Sequence, residues 1–170
     1  MRYVLALAAC LCAAPAWGAD GLTLGGSVMH PAHFTMAQLR AMPQTDVKVD
    51  QKTEKGTFTG DFRGVLLWTL VNDAGLVNGP ARHSILLHGI VVSAAADRYG
   101  TLVSLGEIHS ELGNAQIILA TERNGSPLAQ PILIVPGDIK AARDVRDVTN
   151  VFVQGSAAGR SHSSPHDHLQ

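Results

Sequence analysis

The chain has 170 residues, 46% of them hydrophobic and 16% charged, with a formal net charge of −1. That length supports one domain with a true core. The near-zero charge and the lack of aromatic-rich basic tracts exclude the broad cationic field that general nucleic-acid binding needs.

The opening MRYVLALAACLCAAPAWGAD has the three parts of a secretory signal peptide. Arg2 supplies a positive end, Tyr3 to Ala14 an apolar stretch, and Pro15 breaks it before the small residues flanking Trp17. Residues 1–18 are therefore read as a leader cleaved after Gly18, with the mature chain periplasmic or secreted. The apolar stretch is too short to span a bilayer, so no membrane span is expected after cleavage. The alternative is a lipobox, LAAC, ending at Cys10. Cys10 and Cys12 are the two cysteines, and both fall in this leader. A mature chain without them has no disulfide, thiol nucleophile or thiolate metal ligand.

In chain order, residues 22–28 alternate as a first strand and HPAH is a turn. FTMAQLRAMP starts a helix, with Thr35 and Gln38 as a capping box and Pro43 as its end. Residues 45–51 alternate as a half-buried strand, and KTEKGTFTGDFRG is polar and Gly-rich, a loop or short hairpin. Residues 65–76 read as a mostly buried helix, 84–96 as a central strand, and ADRYGTLVSL leads into another strand. Ser104 and Glu107 suggest a second capping box opening a helix over 105–112. Residues 115–122 are a strand, RNGS carries the Asn-Gly hairpin signal, QPILIVPG is the next strand and 148–154 the last. The fold class is α+β, a mixed sheet or barrel with short inserted helices. The domain runs over 19–154, and 155–170 is a polar, His-containing tail expected to be disordered.

Where LIVPGDIKAARDVRDV leaves its strand, Lys140, Arg143 and Arg146 follow the Pro136-Gly137 turn. They are either ligands for a small anion or a solvated turn neutralised by Asp138, Asp144 and Asp147. Several histidines have metal-ligand chemistry. His162, His166 and His168 near Asp167 are the candidate metal set, the alternative being a solubilising tail. His30 and His33 form a closely spaced pair, more simply an exposed turn. His83, His88 and His109 have no visible acid and nucleophile beside them.

Five pieces in order resemble the oxidoreductase molybdopterin-binding domain, the central domain of sulfite oxidases and related molybdenum enzymes. They are LTLGGSV through TDVKV, FRGVLLWTLVNDAGL, DRYGTLVSLGEI, IILATERNGSPL and LIVPGDIKAARDVRDVTNVFV, together covering residues 22–154. The resemblance implies a sulfite-oxidase-like fold and a molybdopterin cofactor. It makes Arg143 and Arg146, with Lys140 nearby, holders of the pterin's phosphate-bearing end. It also makes Tyr99 the candidate catalytic residue lining the substrate pocket.

The chain departs from the family pattern at two points. The family's metal-binding cysteine would fall within 50–60, where this chain reads DQKTEKGTFTG, and the Arg-rich loop after it is missing. The segment PLAQPILIVPG is also shorter than its family counterpart. Lys52, Thr53 and Lys55 are poor molybdenum ligands, and Asp50 and Glu54 are hard oxygen donors. The leading expectation is thus a pterin- or anion-binding module without standard sulfite-oxidase catalysis. The alternatives are an accessory protein with a periplasmic protein partner, and a molybdenum oxidoreductase using a non-cysteine ligand.

Overall fold

The computed structural model describes residues 21–77, 89–94 and 98–155. The expected leader, the His-containing tail with His162, His166 and His168, and His83 and His88 lie outside the described residues.

Nine strands and three short helices are present among the described residues. They run β1 (Leu22–Gly26), β2 (Ala32–Phe34), α1 (Met36–Ala41), β3 (Thr45–Thr53), β4 (Gly56–Leu66), α2 (Leu67–Ala74), β5 (Gly89–Ala94), β6 (Gly100–Ser104), α3 (Leu105–Ile108), β7 (Ile118–Arg123), β8 (Ser126–Ile134) and β9 (Val148–Gln154). One sheet has the order β2-β1-β9-β5-β6, the other β3-β4-β7-β8. The first sheet is mixed, because β1 runs parallel to β9 while its other pairs are antiparallel. This is the α+β architecture expected from the sequence.

Alternation of side chains builds the core. Leu22 and Leu24 of β1, Ile90 and Val92 of β5, and Val151 and Val153 of β9 are buried on one face of the five-stranded sheet. They pack with Leu67, Leu70 and Val71 of α2 and with Met36 and Leu39 of α1. A smaller cluster of Val47, Val49, Phe62, Ile118, Ala120 and Ile134 lies on the four-stranded sheet. The edge strand β8 carries Pro127 and Pro131, and an edge tolerates residues that cannot donate to a ladder.

Local signals are realised where they are short-range. Thr35 caps α1: its hydroxyl accepts from the Gln38 amide at 3.3 Å, and Gln38 Oε1 accepts from the Thr35 amide at 2.8 Å. Asn124 and Gly125 both take positive φ, 50° and 75°, the pair of left-handed conformations a tight hairpin turn requires.

Several expected elements differ. The polar, Gly-rich segment after Gln51, expected as a loop or short hairpin, is a hairpin and a longer one than expected. It completes β3 and forms β4, paired residue for residue from Thr45↔Gly64 to Thr53↔Gly56 around Glu54 and Lys55. Strand pairing claims Val65 and Leu66, so the helix expected over 65–76 is α2, Leu67–Ala74. Part of the HPAH turn becomes β2, antiparallel to β1. The helix expected over 105–112 shrinks to Leu105–Ile108, and Ser104 makes no capping bond. The strand expected over 115–122 begins at Ile118 and runs to Arg123. Of the strand expected over 84–96, residues 89–94 are described, as an interior strand between β9 and β6.

At Gly64 the β4–β7 register shifts. A Cβ there would lie 2.1 Å from the Leu119 carbonyl oxygen and 2.5 Å from Ala120 Cα. Both are backbone atoms of β7 and have no room to yield. Gly64→Ala should lower stability by about 1–3 kcal/mol, seen as a drop in the urea midpoint without a change in slope.

Candidate functional site

Residues 136–147, between β8 and β9, form a strap that borders a half-open cavity of about 500 Å³. Its far end folds back on β8: the Leu133 amide donates to the Val145 carbonyl at 2.8 Å, the reverse bond is 3.2 Å, and Val145 is fully buried. Its near side runs along the end of β3. There the Lys52 amide donates to the Ile139 carbonyl at 2.9 Å, and the Ala141 amide to the Lys52 carbonyl at 3.2 Å. These two bonds make a one-step parallel bridge with Lys52 opposite Lys140. The Tyr99 phenol donates to the Ala142 carbonyl. Lys52, Thr53, Glu54, Tyr99, Lys140, Ala141 and Ala142 line the cavity.

The three cations of the strap therefore have different surroundings. Lys140 lines the cavity with Tyr99. Arg143 is gripped by two carboxylates. Its Nε and one terminal nitrogen donate to both Asp138 oxygens at 2.7 and 2.6 Å, and its other face meets Glu107 at 3.2–3.3 Å. The hydrogen bond to Asp138, then that to Glu107, pushes the guanidinium pKa up. The same bond from Arg143 holds the Asp138 carboxyl below its ordinary range despite partial burial. Arg146 is exposed and stands 6.0 Å from the centroid of Phe58, over which Arg123 also stacks at 4.8 Å.

Asp144 is the carboxylate that sequence reasoning did not separate from its neighbours. Its Oδ1 accepts from the Val135 amide at 2.9 Å, while its Oδ2 is buried without a hydrogen-bond partner. Gln51, the buried polar residue of β3, donates to the Val135 carbonyl at 2.9 Å and leaves its own Oε1 unpartnered. Burial pushes the Asp144 carboxyl up to about 6, against the lowering influence of the Val135 amide. Lys52 was also overlooked as a cavity residue. Its partner lies 88 positions away in the chain, beyond the reach of any periodicity or spacing.

The described histidines stand apart from the cavity lining. His33 Nδ1 lies 3.3 Å from the Thr23 hydroxyl on the neighbouring strand, and His109 packs on Trp68 with ring centroids 4.4 Å apart. The His30 amide donates to the Ala74 carbonyl at 3.0 Å. Among the described residues no three His, Cys, Asp or Glu side chains gather as a metal site. A second cavity of about 360 Å³ on the four-stranded sheet carries its own exposed ion pairs, Lys48–Asp61 and Arg63–Asp46, each at 3.5 Å.

Two measurements follow from these charges. Arg143→Gln leaves two part-buried carboxylates facing each other without their cation, and stability at about pH 7 should fall by about 2 kcal/mol. The folded-state pKa of Asp138 is depressed. Its contribution is therefore present at neutral pH and lost as the pH falls through that lowered value. Urea titrations at about pH 7 and about pH 3 should show the Arg143→Gln deficit shrinking in acid.

Asp144 has the opposite sign. Its folded pKa of about 6 lies above the ordinary 3.8, so its contribution is greatest below the ordinary value and is lost as the pH rises through about 6. Asp144→Asn keeps an acceptor for the Val135 amide and never ionises. The variant should exceed the parent by on the order of 1 kcal/mol above about pH 7, with the gain vanishing near pH 4.

The crystal structure of the sulfane dehydrogenase SoxCD from Paracoccus pantotrophus matches this fold with a TM-score of 0.64 at 18% sequence identity. The match covers 79% of this chain and 38% of that one, so the chain spans well under half the length of that relative. No curated protein matches the sequence. The oxidoreductase molybdopterin binding domain family matches residues 14–154, which include both sheets and the strap. The chain belongs to that family.

Proposed function

We propose that this chain is an exported binding module of the molybdopterin-binding family. It holds the phosphate-bearing end of a pterin, or another small anion, in the cavity under the strap, without standard sulfite-oxidase catalysis. The observation that carries the reading is the donor set. The cavity offers two ammonium groups, a threonine hydroxyl, a phenol and one carboxylate, with no soft donor among them. Ammonium groups pair with phosphate oxygens as point charges but have no lone pair to give a metal. Glu54 is a hard oxygen ligand, and no cysteine follows Cys12 in the sequence. The lining therefore suits the anionic end of the family's cofactor and does not suit its molybdenum centre.

Family membership supports a pterin ligand, and the leader-like first eighteen residues support export. The Arg143 guanidinium contributes by bracing the wall of the cavity, because both of its faces are already bonded to carboxylates.

The test is to export the chain in a molybdenum-replete host and purify it without a chelating tag. Molybdenum is then measured by mass spectrometry, released pterin by fluorescence, and affinity for pterin phosphates, sulfate and sulfite by calorimetry. The expected result is saturable anion binding with molybdenum far below one equivalent. Stoichiometric molybdenum with pterin overturns the non-catalytic part and makes the chain an enzyme with an unusual ligand set. No affinity for any of these anions overturns the binding module.

A further inference from the structure

The parallel bridge between β3 and the strap puts two lysines face to face. Lys52 bonds through its backbone to Ile139 and Ala141, the two neighbours of Lys140, so residues 52 and 140 are paired across the bridge. Paired residues on adjacent strands project to the same side, and both of these line the same cavity. Both are exposed, and among the described residues neither takes part in an ion pair. Glu54 lines the cavity as well, without reaching salt-bridge distance of either. Like charges placed directly opposite one another destabilise a strand pair. Two other cations of β3 and β4 are neutralised: Lys48 meets Asp61, and Arg63 meets Asp46.

We infer that Lys52 and Lys140 form a two-ammonium clamp for a compact oxyanion. This rests on the binding-module reading above and names the residues and ligand chemistry of that site. One anion placed between the two ammonium groups turns their repulsion into two charge-assisted contacts. Other cavity groups are already engaged. The Thr53 hydroxyl donates to the Gly56 carbonyl at 2.9 Å, and the Tyr99 phenol donates to Ala142. Arg143 is saturated by Asp138 and Glu107. The ligand is therefore a sulfate-, sulfite- or phosphate-like group recognised by charge. It is either a free oxyanion or the phosphate of a larger molecule, for which a cavity of about 500 Å³ leaves room.

The experiment is calorimetry on the purified exported chain at low ionic strength, with sulfate, sulfite and glycerol 3-phosphate as ligands and chloride as the control salt. Lys52→Gln and Lys140→Gln should each weaken oxyanion binding by about 5- to 10-fold, and Lys48→Gln, outside the cavity, should leave it unchanged. Preference for the phosphate ester identifies the phosphorylated end of a larger ligand as the source, and preference for sulfate or sulfite a free oxyanion. Either preference, with the lysine dependence, supports the clamp. Melting supplies a second readout. Sulfate should raise the melting temperature of the parent and not of Lys140→Gln, which without anion should melt no lower than the parent because the repulsion is gone. Oxyanion affinity that survives both cavity substitutions overturns the clamp and leaves the binding module standing. Bound pterin in a chain with no oxyanion affinity does the same.

Discussion

The guanidinium of Arg143, held between Asp138 and Glu107, closes the strap onto the rest of the domain. Asp138 belongs to the strap itself, while Glu107 lies on α3, directly after β6, an edge strand of the five-stranded sheet. The other side of the strap is bonded through Lys52 to β3, an edge of the four-stranded sheet. One cation thus fixes a segment that reaches both sheets. The contact with Asp138 is bidentate, which gives it direction as well as charge. With about a third of its side chain exposed, the arginine is partly screened by solvent.

That placement decides what the neighbouring charges do. Once Arg143 is satisfied within the fold, it no longer offers donors to a ligand, and the electropositive character of the cavity falls to Lys52 and Lys140. Asp144, next in the chain, turns the other way, toward Val135 and Gln51, with one carboxylate oxygen buried and without a hydrogen-bond partner. Adjacent parts of one strap therefore carry carboxylates with opposite acid–base behaviour. Asp138 is stabilised as the anion by its arginine, and Asp144 is penalised as the anion by burial.

Features that depend on near neighbours were legible in the sequence. The Thr35–Gln38 box and the Asn124-Gly125 turn each involve a few consecutive residues, and each formed. The ordered set of motifs, from LTLGGSV to the strap, was legible as a family resemblance, and the domain match bears it out. Strand β4 was not. Its Gly56, Gly60 and Gly64 look like loop residues, yet Gly64 is required by close approach to β7, and at Gly60 a Cβ would meet Phe62 and Arg123 at 3.0–3.3 Å. The Ser104–Glu107 box failed because Glu107 has a stronger partner 36 residues away in Arg143. For the three cations after the Pro136-Gly137 turn, the sequence could pose both answers but not divide them: Arg143 is internally paired, and Arg146 stands near an aromatic ring. Only Lys140 is placed on the cavity wall.

The β3–β4 hairpin decides which of its side chains reaches the strap. In the family resemblance this stretch carries a metal-binding thiolate. Here it is a fully paired two-stranded ribbon, and pairing forces its side chains to alternate. Val47, Val49 and Gln51 turn inward, and Gln51 is committed to the backbone at Val135. Thr53 turns its hydroxyl onto the hairpin's own backbone. The position left to meet the strap is Lys52, where the bridge to Lys140 fixes it. On this hairpin the side chain that meets the strap is an ammonium group. The pairing that aims Gln51 at the core is the pairing that sets Lys52 opposite Lys140 on the cavity wall.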